Sequence, residues 1–333
     1  MSLLSRLPDG IEVITHKSQD DWLEFRQGAS VGASEVADVL NIEGCYMGAY
    51  ALACQKLGTE FTARNMDDLE FGSAFEPGII TMFEKKSGIR VERVPPFTTF
   101  QNRLFPGLFA TPDAIYADND GNVCPLEAKF IRPSLIDQWD VEPPLIYFTQ
   151  LQTQMICMGA QSGGIAGAFI GDFKRQMRYQ TIQKHAGLCA VIVREVAAFC
   201  QMVKRGELPI PDGHDKASEA LSRRHPKEKD AEPPVWLDDG VDLYAEFQAL
   251  TAEKKAAETR LDALKNRIKA RIGDSLLGKF DGGQFSWKYQ GGSLQDWVKV
   301  PIEHRDKLAQ AGIPFETQNT PESRVLRAKK EKK

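Results

Sequence analysis

The sequence predicts an α/β (α+β) protein, with a central mixed sheet flanked by helices, followed by a long C-terminal helix and a small β-hairpin element. Three observations predict it. Helical and extended runs alternate over residues 1–210, the order expected of helices layered on one sheet. Residues 211–241 carry Pro211, Pro226, Pro233 and Pro234 among charged residues, a composition that reads as a linker. Residues 242–272 space Leu243, Phe247, Leu250, Ala257, Leu261, Leu264 and Ile268 in a near-heptad, interrupted by Lys254 and Arg271. The boundaries that follow are a domain over 1–210, a linker over 211–241, a helix and hairpin extension over 242–322, and a basic tail over 323–333.

Within the first domain, Ser34 to Leu40 and Gly48 to Leu57 read as helices. Asp67 to Lys86 has helical spacing at Leu69, Phe75, Ile79, Ile80 and Phe83 and ends at Gly88; Pro77 predicts a kink or a new helix start. Extended runs follow at 90–100, 108–116 and 122–131, then a helix at 145–159, strands at 164–170 and 176–183, and a strong helix at 186–206. Gly273 is suited to cap the long helix at its C-terminus. Its apolar stripe fits either packing on its own chain or one half of a coiled coil. Residues 279–300 predict a hairpin around Gly291-Gly292, and the basic end is expected to fray.

Composition narrows the function. Of 333 residues, 42% are hydrophobic and 26% charged, as in ordinary soluble domains. No apolar stretch predicts a membrane span and no signal pattern opens the chain, so a cytoplasmic protein with no membrane partner is expected. Cys45, Cys54, Cys124, Cys157, Cys189 and Cys200 form no C-x-x-C pair, which argues against a disulfide framework, a structural zinc or an iron–sulfur cluster. The histidines are scattered. A net charge of −4 does not exclude DNA as a substrate, because phosphate contact needs a local basic surface and a metal site adds carboxylates. The run Gly273 to Phe280 imitates a phosphate-binding loop, but Phe280 stands where Ser or Thr should reach the metal. No ATPase motor is expected.

The chemistry is concentrated in Ala110 to Lys129. Asp118-Asn119-Asp120-Gly121 is a turn signal between two strand-like runs. If Asn119, Asp120 and Gly121 form a three-residue loop with Gly121 at positive φ, the register places Asp113 directly opposite Glu127. Opposed residues share a face with Cβ atoms about 5 Å apart. Two carboxylates so placed repel unless a proton or cation lies between them, and a hard divalent ion prefers such oxygens. Lys129, two residues beyond Glu127, projects from the same face and is placed to orient or deprotonate a water. Carboxylate, carboxylate and lysine around Mg²⁺ suit phosphodiester hydrolysis.

Pro112-Asp113 followed by Glu127-Ala128-Lys129 is the signature of the PD-(D/E)xK nucleases, with their restriction-endonuclease-like core. Three further motifs flank it in order: Trp22 to Glu35, Phe71-Gly-Ser-Ala-Phe-Glu76, and Tyr147-Phe-Thr-Gln-Leu-Gln-Thr-Gln-Met155. Together the four resemble the YqaJ-type viral recombinases, the family of phage lambda exonuclease, over roughly residues 20–205. The resemblance implies that Glu76 completes a metal site with Asp113, Glu127 and the backbone carbonyl of Ala128. It implies that Lys129 activates the attacking water with Gln150 in support, and it prefers Gln150 over Gln152 and Gln154. Arg26 and Ser34 match positions that hold the 5′-phosphate of a DNA end, although the interval between them is one residue longer than in lambda exonuclease.

The function so implied is a Mg²⁺-dependent exonuclease, with Mn²⁺ as a substitute. It resects linear double-stranded DNA from 5′ to 3′ and leaves a 3′ tail for a single-strand annealing protein. A homo-oligomer, a trimer by family resemblance, in the bacterial host of a phage or prophage is the expected setting. Two rival readings stand beside it: a structure-specific or nicking endonuclease on the same scaffold, and an inactive DNA-binding module. Retention of Glu76, Asp113, Glu127 and Lys129 argues against the second.

Overall fold

The computed structural model describes residues 2–59, 61, 66–131, 136–170, 175–226, 234–281, 283–287, 307 and 310. Two compact units divide the chain, residues 1–226 and residues 227–333. The predicted turn at Gly291-Gly292, most of the segment after 287, and the basic tail lie outside the described residues.

The first unit begins with β1 (Ile11–Thr15), α1 (Gln19–Arg26), β2 (Val31–Gly32), α2 (Val36–Val39), α3 (Gly48–Lys56) and α4 (Met66–Ser87). It continues through β3 (Val91–Arg93), β4 (Thr98–Asn102), β5 (Leu108–Ala110), β6 (Ala114–Ala117) and β7 (Val123–Ile131). After α5 (Ile136–Val141) and α6 (Leu145–Met158) come β8 (Ser162–Ile170), β9 (Arg175–Gln183), α7 (Ala186–Lys204) and α8 (Asp215–Arg224).

The sequence suggested one central sheet; among the described residues this unit has two. The larger has the order β3-β6-β7-β8-β9, with β7 and β8 parallel and the other pairs antiparallel. The smaller has the order β1-β4-β5-β2. Prolines divide them. The run at 90–100 breaks at Pro95-Pro96 into β3 and β4, and the run at 108–116 breaks at Pro112 into β5 and β6, each half joining a different sheet. Proline has no N–H to give a ladder, so a strand ends or changes partner there.

Alternation along the central hairpin sorts its two faces. Ala114, Tyr116, Cys124, Leu126 and Ala128 pack with Ile79, Ile80 and Phe83 of α4. Ile115, Val123 and Ile131 pack in the other core with Leu151 and Met155 of α6. Helix α4 continues through Pro77, where no new helix begins. Thr81 Oγ1 and Arg93 Nη2 both donate to the Pro77 carbonyl, at 2.8 and 3.0 Å. Close approach of α6 to the sheet depends on Gly163, where a Cβ would stand 2.9 Å from Leu151 Cδ1 and 3.2 Å from Pro125 Cγ.

Helix α7 is long and apolar enough by length and composition to cross a membrane. Its Ile192, Val196, Phe199 and Val203 instead fill the core at helical spacing, where burying such side chains contributes roughly 1.5–3 kcal/mol each. Helix α8 corrects the expected linker. Ala217 and Ala220 bury against Tyr50, Ala51 and Cys54 of α3, and Asp212 Oδ1 accepts from His214 N at 2.9 Å. The first unit therefore extends to residue 226 rather than ending at 210. Small apolar side chains spaced three apart are too weak a signal to outweigh the surrounding prolines and charges. All six cysteines are free, and five of them are buried.

The second unit contains α9 (Gly240–Ile272) and the hairpin of β10 (Leu277–Phe280) with β11 (Gly283–Ser286). The innermost pair of the hairpin is Phe280 with Gly283. Gly273 ends α9 at φ +57°, as its position at the end of the stripe predicts.

Candidate active site

The β6–β7 turn places the first groups. Asp118 Oδ1 accepts from the N–H groups of Asp120 and Asn122 at 3.0 and 2.8 Å, an Asx-type closure that needs a short acid at the loop start. Gly121 adopts φ +84°, which glycine takes without the steric penalty other residues meet. The loop is Asn119-Asp120-Gly121, and the ladder pairs Ala114 with Leu126 and Tyr116 with Cys124. Continued by one residue, that register sets Asp113 opposite Glu127.

Asp113 Oδ2 accepts the Ala128 N–H at 2.7 Å. Glu127 is 1% exposed and receives several donors. Gln150 Nε2 lies 2.6 Å from Oε1, Gln154 Nε2 donates to Oε2, and Lys129 Nζ sits 2.5 Å from Oε1. Lys129 also lies over the Tyr147 ring, with Nζ 5.4 Å from its centroid. Glu76 approaches from α4, one turn before the residues that anchor that helix to the sheet.

Burial and mutual repulsion dominate the electrostatics of the site. Burial, with Glu127 beside it, pushes the Asp113 carboxyl well above the usual range; Lys129 works the other way. Burial and Glu127 likewise raise Glu76, partly offset by Lys129 and Arg93. Burial works against the charge of Lys129, yet Glu127 and Asp113 outweigh it and hold the ammonium protonated. Among the described residues, no group of three or more His, Cys, Asp and Glu side chains is already arranged to hold a metal ion. Glu76, Asp113 and Glu127 do offer hard oxygen donors, and Glu127 adds to the rise of both Glu76 and Asp113. A divalent cation fits that donor set.

Arg26 sits in a second cluster. Arg26 Nη2 donates to Glu35 Oε1 at 3.0 Å, and Lys56 Nζ lies 2.9 Å from Glu35 Oε2 and 2.7 Å from the Arg26 carbonyl. The Gly32 N–H also donates to Glu35 Oε2, at 2.8 Å. The guanidinium lies over the Trp22 and Phe109 rings, 4.8 and 5.5 Å from their centroids; Trp22 and Arg26 meet because they stand four apart on α1. Ser34 is next to Glu35 in the turn Ala33–Glu35, which lies alongside α6.

Sequence reasoning missed several residues here. Gln154 follows Gln150 by four, so both reach Glu127 from one helix face, whereas Gln152 ties α6 to the Gln183 carbonyl and the His185 N–H. Glu35 and Lys56 were also missed, and only the presence of Glu35 in the motif with Arg26 hinted at either. Phe71, Phe75 and Phe130 form an exposed stack, with centroids 6.1 and 5.1 Å apart. Phe75 and Phe130 are the chain neighbours of Glu76 and Lys129.

The mixed sheet with its carboxylate–lysine hairpin is consistent with a PD-(D/E)xK core. Residues 21–161 match the family model of the YqaJ-like viral recombinase domain. No curated protein matches the sequence. Similar solved structures include an alkaline exonuclease from Laribacter hongkongensis, 26% identical with a TM-score of 0.46, covering 56% of this chain and 94% of that one. A phage-related exonuclease from Haemophilus somnus 129PT is 12% identical with a TM-score of 0.42, covering 56% and 100%.

Proposed function

We propose that the chain is a Mg²⁺-dependent exonuclease that resects linear double-stranded DNA from 5′ to 3′, leaving a 3′ tail for recombination by strand annealing. The observation that carries this reading is the convergence of Asp113, Glu127 and Lys129 on one hairpin with Glu76 beside them. Glu76, Asp113, Glu127 and the Ala128 carbonyl would hold the cation, with Mn²⁺ as a substitute. A bound divalent cation supplies Lewis acidity toward the scissile phosphate and acidifies water.

The chain's own residues do the positioning. Gln150 and Gln154 fix the Glu127 carboxylate so that it cannot rotate away from the site. Lys129 is held protonated beside the Glu127 carboxylate and Asp113, so it serves first as a donor that orients water or phosphate. It becomes a proton acceptor only when that carboxylate charge is taken up elsewhere. Arg26 commits one donor group to Glu35 and keeps others for a 5′-phosphate, with Ser34 as the second residue that the family resemblance assigns to that phosphate. Such a clamp would set polarity, since the strand whose end is held is the strand cut. The Phe71–Phe75–Phe130 stack offers unpaired bases a surface near the hydrolytic groups, where stacking contributes about 1–3 kcal/mol per base. The family resemblance adds a trimeric assembly, an annealing partner and the cytoplasm of a bacterial host.

Linear and covalently closed circular duplexes, each incubated with the protein and Mg²⁺, test the reading. Nucleotide release from the linear form alone is expected, with the 5′-labelled end lost first. Cutting of the circle would support the nicking endonuclease, and inertness toward both would support the binding module.

A further inference from the structure

Helix α9 exposes an apolar stripe along its length. Leu243, Phe247, Leu250, Leu261 and Leu264 range from 41% exposed at Phe247 to 57% at Leu250. With Lys254, Ala257 and Ile268 they repeat at alternating intervals of four and three residues. That spacing averages 3.5, the period at which two helices supercoil with one continuous seam. An exposed seam of this length marks an interaction surface, and the charges beside it identify the occupant.

Phe247, Lys254, Leu261 and Ile268 take one seam position of the heptad, and Leu243, Leu250, Ala257 and Leu264 take the other. The residues just before the first set are Glu246, Glu253, Arg260 and Arg267: acidic in the first half of the helix, basic in the second. In a parallel, in-register pair, Lys254 would face Lys254, Glu253 would face Glu258, and Arg260 would face Lys265. Every one of these contacts sets like charges together. In an antiparallel pair all of them disappear. Glu246 meets Arg267 of the second copy and Glu253 meets Arg260, each twice by symmetry. The seam layers become Leu243 on Ile268, Phe247 on Leu264, Leu250 on Leu261, and Lys254 on the small Ala257, which leaves room for the lysine stem. A surface that complements itself after a two-fold rotation is what an isologous contact requires.

We propose that α9 is a dimerisation helix that docks antiparallel on α9 of a second copy of this chain. The lysine in the seam fixes the register, since any shift would place it against a large apolar side chain.

Charge exchange in the full-length chain tests this by light-scattering mass. Glu253→Arg puts arginine against Arg260 of the second copy and is expected to halve the mass. Adding Arg260→Glu restores the opposite pairing and the original mass. Comparing these variants with the unaltered chain cancels any assembly of the first unit. Orientation has its own readout. Leu250→Cys with Leu261→Cys is expected to form an intermolecular disulfide on oxidation that the unaltered chain lacks, while Leu250→Cys alone forms none. The two positions are roughly 16 Å apart along one helix, too far to bridge within a chain. An unchanged mass with Glu253→Arg, no restoration by the double exchange, or cross-linking by Leu250→Cys alone would each overturn the proposal.

Discussion

Glu127 meets three side-chain donors, and each answers a different part of the cost of burying its charge. Gln150 and Gln154 satisfy the two oxygens, and Lys129 supplies the opposite charge. A buried carboxylate left with fewer partners would be unstable, so the arrangement holds a reactive group in place. Glu35 is the comparable residue of the Arg26 cluster. Burial works against its charge, but Arg26 and Lys56 outweigh burial and hold its carboxyl below the ordinary 4.5. The sign follows from linkage: a depressed folded-state pKa adds stability that is present above the unfolded value and lost as pH falls through the folded one. The thermal midpoint should therefore drop more steeply below about pH 4.5 in the unaltered protein than in Glu35→Gln. Parallel curves would remove Glu35 as the anchor of that cluster.

At the scale of elements, the hairpin was the most legible feature of the site. A three-residue loop with glycine at its end leaves no freedom in register, so Asp113 and Glu127 could be paired from the sequence alone. The division into two sheets was not legible in the same way. Pro95-Pro96 and Pro112 announce breaks, but local pattern does not say which neighbour each half will join. Gln154 was hidden for a related reason. Three alternate glutamines on α6 look like one polar face until the sheet beneath them selects two for Glu127. Gly163 permits that contact. Gly163→Val should push α6 outward, lowering stability by about 1–3 kcal/mol as overpacking does, and slowing DNA hydrolysis because Gln150 and Gln154 move with the helix. Chemical denaturation and rate measurements on the same sample check both; an unchanged rate would separate helix position from catalysis.

At the scale of the whole molecule, every candidate nuclease group lies in the unit of residues 1–226. That unit extends beyond the expected 1–210 because α8 closes on α3. A chain of residues 1–226 should fold cooperatively and retain hydrolysis of linear DNA within about threefold, since it keeps its own core. A chain ending at residue 210 should be less stable, because it exposes Tyr50, Ala51 and Cys54. Melting and activity of the two truncations distinguish them.

The central claim is that the hairpin with Asp113, Glu127 and Lys129 is where DNA is hydrolysed. Its most direct test is the initial rate of nucleotide release from linear duplex DNA in Mg²⁺ by the unaltered protein and by Lys129→Ala, with equal folding verified by circular dichroism. The expected result is a fall of about 10²–10⁴-fold, the range attributed to a positioned proton-transfer group. A Lys129→Ala protein that degrades DNA within a few-fold of the unaltered rate would contradict it.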